Sequence, residues 1–261
     1  MNTKKKISIC LTVKNRSCVT YKSEDLNAEE AAYFMQVENI FNIVKKENRT
    51  NNAKNYTIKQ KFKEPFTYTL DCINSLKDVF ECDNRLHEYD VEVVIADWKS
   101  SDYDLHSLTA CNYPFKINVI DVVSDLNFSR GHGLNVAASH SSGDFLFFVD
   151  ADMLFCNASM IYEMLQMCNK GISCWPVCYK LRDPIGYGSY PEWAGYGICM
   201  MTKPQFEKYG PWPEYKTWGK EDLDIFNRFV DNGEQIFRKS YHGYMHQWHT
   251  EHLRVKEYEK N

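Results

Sequence analysis

The chain has 261 residues, 44% hydrophobic and 25% charged, with a formal net charge of −4. That length suits one large α/β domain or two small ones, and an acidic balance without a basic face argues against a partner tracked by its phosphates, so no nucleic acid is expected. No apolar run approaches the roughly 18 residues that a membrane-spanning helix needs, and Ile7 to Val13 is too short for a secretory h-region before it meets Lys14-Asn15-Arg16.

The ten cysteines form no C-x-x-C pair and read as free thiols of a reducing compartment. The expected location is therefore cytoplasmic. The run Lys4-Lys5-Lys6 allows at most peripheral contact with a membrane face and reads first as a solvated terminus.

In chain order, Ile7 to Val13 is rich in β-formers and predicts a first strand. Residues 26 to 46 carry apolar side chains at helical spacing, and 49 to 63 read as a polar loop. After Pro65 a second helical pattern runs through Leu70, Ile73, Leu76 and Phe80. Strands are expected at Val91 to Ala96 and Lys116 to Val122, followed by a helix from Arg130 to His140. Phe145 to Val149 is wholly apolar, as a buried parallel strand should be. A helix over Ser159 to Cys168 and a strand over Gly171 to Val177 follow, then a helix from Glu221 to Val230 stopped by Asn232-Gly233. Alternation of strand and helix through the first two-thirds predicts a mostly parallel sheet flanked by helices.

Ligand sites in such sheets form beyond the carboxyl ends of the strands. Asp150 and Asp152 stand there, directly after the most apolar strand. Two carboxylates one residue apart suit a hard cation, Mn²⁺ or Mg²⁺, which neutralises a diphosphate leaving group. Taken alone, D-x-D after a strand is also a common surface turn.

Two longer motifs supply context. Phe128-Ser-Arg-Gly-His-Gly-Leu-Asn-Val-Ala-Ala138, with Ser142-Gly-Asp-Phe-Leu-Phe-Phe-Val-Asp-Ala-Asp152, resembles the donor half of the GT-A, or nucleotide-diphospho-sugar transferase, fold. Trp218-Gly-Lys-Glu-Asp-Leu-Asp-Ile-Phe-Asn-Arg228 resembles the acceptor-side motif of the β-1,4-galactosyltransferase family and of chondroitin-polymerase-like family 2 transferases. The resemblance covers most of residues 7–16 and 91–250. It implies one GT-A domain over 1–261, with residues 18–64 as an insertion that has no recognised counterpart.

The resemblance assigns roles residue by residue. Thr12, Lys14 and Arg16, at the end of the first strand, fall beside the nucleotide. Asp97 matches the acceptor for uracil N–H, with Trp98 in place of the commoner second Asp. Phe128 and Arg130 match the family's Phe-x-Arg against the nucleotide. Arg130 then pairs with a phosphate, or, on a plainer reading, with Asp125. Asp152 is implied as the direct metal ligand, with Asp150 nearer the ribose or a bound water and Ala151 between them. Gly197 would let the backbone approach the sugar, and Trp218 stacks on a sugar or sits in the core. Asp222 is implied as the base that removes the acceptor hydroxyl proton, and Glu221 as the holder of a sugar hydroxyl. Ordinary first-turn acids explain the same pair without function. One late His completes the metal site, His246 first and His249 second.

The implied activity is metal-dependent inverting transfer from a UDP-sugar to a glycan or glycolipid hydroxyl, in surface polysaccharide synthesis. A sugar-phosphate nucleotidyltransferase is the first alternative, but Cys10 to Cys18 lacks the Gly-rich loop it needs. A catalytically dead glycan-binding module is the second, and retention of Asp152 and Asp222 argues against it.

Overall fold

A computed structural model describes residues 4–21, 65–123, 127–183, 187–217, 219–250 and 253. The expected helix over 26–46, the loop over 49–63, most of the 18–64 insertion, Asp125 and Trp218 lie outside these residues.

Two sheets form the frame. The larger has seven strands in the order β10-β6-β9-β4-β1-β2-β3. Its centre is β1 (Lys6–Val13), flanked by β2 (Asp90–Asp97) and β4 (Phe145–Phe148), with β3 (Lys116–Asp121) at one edge. These four run parallel, Ile7 pairing with Val91 on one side and Phe145 on the other. In this sheet β9 (Cys199–Thr202) runs antiparallel to both neighbours, β4 and β6 (Ser173–Cys174). The small strand β10 (Ile236–Phe237) pairs parallel with β6.

The central strands are apolar on both faces because both faces are covered. Ile7, Ile9, Leu11, Phe145 and Phe147 point into one core with helices α1 (Tyr68–Cys82) and α3 (Ala158–Cys168). Cys10, Leu146 and Phe148 point into a second core with α2 (Arg130–Ser139), α4 (Lys203–Tyr209) and α5 (Glu221–Asp231). Phe147 and Phe148 are fully buried, and each contributes about 1.5–3 kcal/mol by leaving water.

Expected elements fall within one or two residues of those observed, with one exception. The strand expected over Gly171 to Val177 is broken. It ends at Cys174, and the chain enters a different sheet as β7 (Val177–Leu181). Pro176 stands at the break, where its missing N–H would interrupt a ladder. The Lys4-Lys5-Lys6 run is exposed at Lys4 and Lys5, as expected of a solvated segment. Its amines donate to the His87 carbonyl, to Asn169 Oδ1 and to Ser142 Oγ.

The second sheet positions the site. Its order is β5-β11-β7-β8, with β5 (Met153–Phe155), β8 (Gly188–Ser189) and β11 (Ser240–His246). Strand β5 begins one residue after Asp152, and β11 pairs with it antiparallel so that His246 faces Met153. Gln247 N–H then donates to the Asp152 carbonyl at 2.9 Å. Residues almost a hundred positions apart thereby meet at one strand end.

At the beginning of the 18–64 region, Val19 and Phe66 exchange both backbone hydrogen bonds, at 2.8 and 2.7 Å. The two ends of that region therefore lie side by side, over a cluster with Tyr68 and Trp248.

Candidate active site

A cavity of about 510 Å³ opens at the carboxyl ends of β1 and β4. Of the residues singled out from sequence, Thr12, Lys14, Arg16, Phe128, Arg130, Asp150, Ala151, Asp152, Gly197, Glu221, Asp222, His246 and His249 line it. Asp97 does not. It is buried at the end of β2, where its Oδ1 accepts from Ser100 N–H. The neighbouring Trp98 lies under the cavity floor: its indole N–H donates to Thr12 Oγ1 at 3.1 Å and its ring meets Phe128 and His132 edge-on.

Among the described residues, Asp152 and two histidines form a group of ligand atoms. The ligand-type atoms of Asp152, His246 and His249 all lie within 4.8 Å of one another. Asp152 is 4% exposed, so its charge must be met inside the protein. Arg16 Nη1 takes Asp152 Oδ2 at 2.5 Å, while Oδ1 is buried without a hydrogen-bond partner. His246 Nε2 stands 3.5 Å from Oδ1 and His249 Nε2 3.6 Å from Oδ2. Those distances are too long for hydrogen bonds and leave a gap between donor atoms. His249 Nδ1 is 2.9 Å from the Thr250 carbonyl. A carbonyl only accepts, so Nδ1 carries a proton, which leaves Nε2 as the ring nitrogen able to ligate a metal. One orphaned carboxylate oxygen and two imidazoles around a gap fit a divalent cation with bonds of about 2.0–2.2 Å. Mixed N and O donors suit Mn²⁺ better than Mg²⁺.

Asp150 turns elsewhere. Its Oδ1 accepts from Arg130 Nε at 2.7 Å, and Arg130 Nη2 donates to the Gly197 carbonyl at 2.7 Å. Arg130 Nη1 also approaches Glu221 Oε1 at 3.6 Å. Thus Arg130, the first residue of α2, links the strand end after β4, the segment before β9 and the start of α5. Burial opposes its charge, but Asp150 and Glu221 outweigh burial and raise its affinity for the proton. For Glu221, burial dominates and pushes the carboxyl above the ordinary carboxylate range, although Arg130 pulls the other way. Arg130 Nη1 and Glu221 Oε2 are both buried without hydrogen-bond partners.

Asp222 stands half-buried on the first turn of α5, its Oδ1 accepting from Leu223 N–H. The residue before the helix, Lys220, has φ of 80° and follows Gly219 at 91°. Left-handed backbone at a non-glycine residue is strained and is typical of functional sites. Asp224, outside the cavity lining, accepts from the Tyr215 hydroxyl.

Two glycines explain how α2 comes so close. A Cβ on Gly133 would lie 1.9 Å from Thr12 Oγ1, and one on Gly131 would lie 1.9 Å from the Pro213 carbonyl oxygen. The helix is seated against β1 on one side and the 212–213 segment on the other, with no room for side chains.

Sequence reasoning placed the 193–197 stretch only loosely beside the donor sugar, and its Ala194 and Gly195 line the cavity; it missed Cys178 and Lys180 of β7, Pro191 and Ile198, which line it too. Nothing in a five-residue strand announces that it joins a second sheet beside His246. Burial, with Asp150 next in weight, pushes the Cys178 thiol up to about 12, so it is protonated.

Two family models match the chain in succession. One, described as glycosyl transferase family 2, covers residues 62–184, and another, described as N-terminal domain of galactosyltransferase, covers 180–252. Human chondroitin sulfate synthase 3 is 28% identical over 149 residues, 48% of this chain and 16% of that protein. Human β-1,4-galactosyltransferase 1 is 31% identical over 130 residues, 48% of this chain and 31% of that protein. The chain thus spans less than a third of the length of these relatives. Among solved structures, S. aureus TarS in complex with UDP-GlcNAc matches at a TM-score of 0.57 and 15% identity, over 95% of this chain and 60% of that one. A mannosyltransferase from Pyrobaculum calidifontis, in complex with GDP-Man and Mn²⁺, matches at 0.55 and 11%, over 96% and 59%. The fold is GT-A, and the sequence relatives on both halves of the chain are glycosyltransferases.

Proposed function

We propose that this GT-A glycosyltransferase is a metal-dependent inverting enzyme that moves a sugar from a UDP-sugar to a glycan hydroxyl. One observation carries the reading: the Asp152, His246 and His249 group, the Arg130 guanidinium and the Asp222 carboxylate face one cavity at the carboxyl ends of parallel strands. The likeness to a UDP-GlcNAc-bound TarS and a GDP-Man- and Mn²⁺-bound mannosyltransferase supports both donor class and ion. The chondroitin sulfate synthase likeness supports a setting in polysaccharide synthesis, for which we propose a bacterial or viral surface glycan.

In this reading Asp152, His246 and His249 would hold Mn²⁺, which would supply positive charge to a diphosphate leaving group. Arg16 orients the Asp152 carboxylate by holding Oδ2. Arg130 is preorganised by Asp150 and the Gly197 carbonyl to face the phosphates, with Nη1 free of hydrogen bonds for that purpose. Asp222 accepts the acceptor's hydroxyl proton while that oxygen attacks the anomeric carbon from the face opposite UDP. Glu221 sits behind Arg130, where it can also take a sugar hydroxyl. Trp98 supports Thr12 of the cavity lining through its indole N–H.

The test is a UDP-release screen over nucleotide sugars and oligosaccharide acceptors with Mn²⁺, with Asp222→Asn alongside. Acceptor-dependent release in the parent and its loss in the variant are expected. Undiminished turnover by Asp222→Asn would remove the base assignment. Calorimetry of UDP with and without Mn²⁺ tests the ion: equal affinity in both would exclude the proposed site.

A further inference from the structure

Trp193 is 88% exposed, the most exposed aromatic among the described residues. A single exposed apolar side chain is ordinary on a loose loop. This one is on a backbone held at both sides. Arg238 Nη2 donates to the Glu192 carbonyl at 3.0 Å and to the Ala194 carbonyl at 2.6 Å, with Nε on Glu192 at 3.3 Å. Ala194 N–H closes a turn on the Pro191 carbonyl at 3.2 Å.

Arg238 is itself fixed. Nη1 reaches the Trp175 carbonyl at 3.3 Å, and the guanidinium lies 4.3 Å over the Tyr196 ring. Tyr196 stacks on Phe226 of α5 at 4.2 Å and 27°. The turn carrying Trp193 is thereby joined to the helix that carries Asp222. Pro191 and Ala194, on either side of it in the chain, line the cavity with Asp222, so the turn that carries the exposed indole is part of the cavity wall.

We propose that Trp193 is a stacking platform for a pyranose ring of the acceptor glycan, one or more residues away from the sugar that reacts, and that Arg238 is the positioning residue that holds it there. The substrate class follows: an oligosaccharide rather than a monosaccharide acceptor. The inference rests on the glycosyltransferase reading for the word acceptor, though not for the binding of a glycan. Physically, a flat, rigid, amphipathic ring matches the C–H face of a pyranose, and little side-chain entropy is lost because the turn is preorganised.

The experiment uses the whole chain on an array of neutral and acidic oligosaccharides, followed by titration of each bound glycan. Wild type is compared with Trp193→Ala, Trp193→Phe and Arg238→Lys, and UDP affinity is measured beside each. Trp193→Ala should weaken glycan binding about 10-fold, equivalent to ~1.4 kcal/mol, with unchanged UDP affinity and melting temperature. Trp193→Phe should restore most of the loss. Arg238→Lys keeps the charge but not the fork, and should lose glycan affinity with Trp193 intact. Where turnover is measured, wild type should show a lower KM for longer acceptors at constant kcat, and Trp193→Ala should abolish that length dependence. Equal glycan affinity of wild type and Trp193→Ala, or no bound glycan at all, overturns the platform. Unchanged affinity in Arg238→Lys overturns the positioning role. If glycans bind through Trp193 while no UDP-sugar is turned over, the transferase reading fails and the platform stands.

Discussion

Replacing Gly133 by Ala sets two effects against each other, and the structure decides between them. On an isolated helix the change stabilises by about 1 kcal/mol, because Gly loses more backbone entropy than Ala. Here the new Cβ would stand 1.9 Å from Thr12 Oγ1, 2.6 Å from Thr12 Cβ and 2.8 Å from Trp98 Nε1. Thr12 is on the central strand and Trp98 is 7% exposed, so neither can swing into solvent. Helix α2 must retreat from β1 by about 1 Å or more, an overpacking that typically costs about 1–3 kcal/mol and occasionally more. The clash lies at the severe end of that range, so the net expectation is destabilisation of about 1–3 kcal/mol, with Tm falling about 2–4 °C per kcal/mol. The retreat also moves Arg130, the first residue of the helix, from Asp150 and the Gly197 carbonyl. UDP affinity should therefore fall together with Tm. Thermal unfolding followed by circular dichroism and calorimetry of UDP binding measure both. A variant at least as stable as the parent, with the same UDP affinity, would refute the packing of α2 against β1 and the dependence of the site on it.

Other perturbations separate the roles. Asp222→Asn should lower kcat about 10²–10⁴-fold, the usual loss on removing a general base, with UDP affinity within twofold in calorimetry. Asp152→Asn and His249→Ala should each abolish the increase in UDP affinity on adding Mn²⁺, while metal-free affinity is retained; an intact Mn²⁺ response in either would exclude it as a ligand. Glu92 predicts an acid-side signature. Its buried carboxylate accepts from Ser8 Oγ at 2.6 Å and Ser142 N–H at 2.7 Å and pairs with Lys6. Burial alone would raise its pKa, but Lys6, Ser8 and Ser142 together hold it below the ordinary range. A depressed folded-state pKa contributes stability above the unfolded value, near 4.3, that is lost as pH falls through the folded one. Chemical denaturation from pH 7 down to about 3 should show the gap between parent and Glu92→Gln narrowing below about pH 5. A gap that widens toward acid would contradict the network.

Much of the frame was legible in the chain itself. The run Phe145 to Val149 is apolar on both faces because it is covered on both, and periodicity reports that directly. The helices α1, α2, α3 and α5 carry apolar spacing or clear boundaries, and they begin and end near where their residues suggest. Short strands leave no such trace. Two residues at β6, β8 and β10 hold too little periodicity to be read, and their pairing is decided by what lies beside them. The break at Pro176 shows the limit, since the chain stays buried from Ser173 to Cys178 while it crosses from one sheet to the other.

The site divides along the same line. Local sequence determined that Asp150 and Asp152 follow a buried strand, that Arg130 opens a helix and that Glu221 and Asp222 open another, because each statement concerns neighbours in the chain. Tertiary structure alone decided which carboxylate faces which partner. Antiparallel pairing of β11 with β5 sets both His246 and His249 against Asp152, whereas Arg130 takes Asp150. Such choices depend on register between strands about ninety residues apart and on which buried charge is neutralised by which neighbour. Burial requires every charge to find a partner, but only the folded packing determines which one.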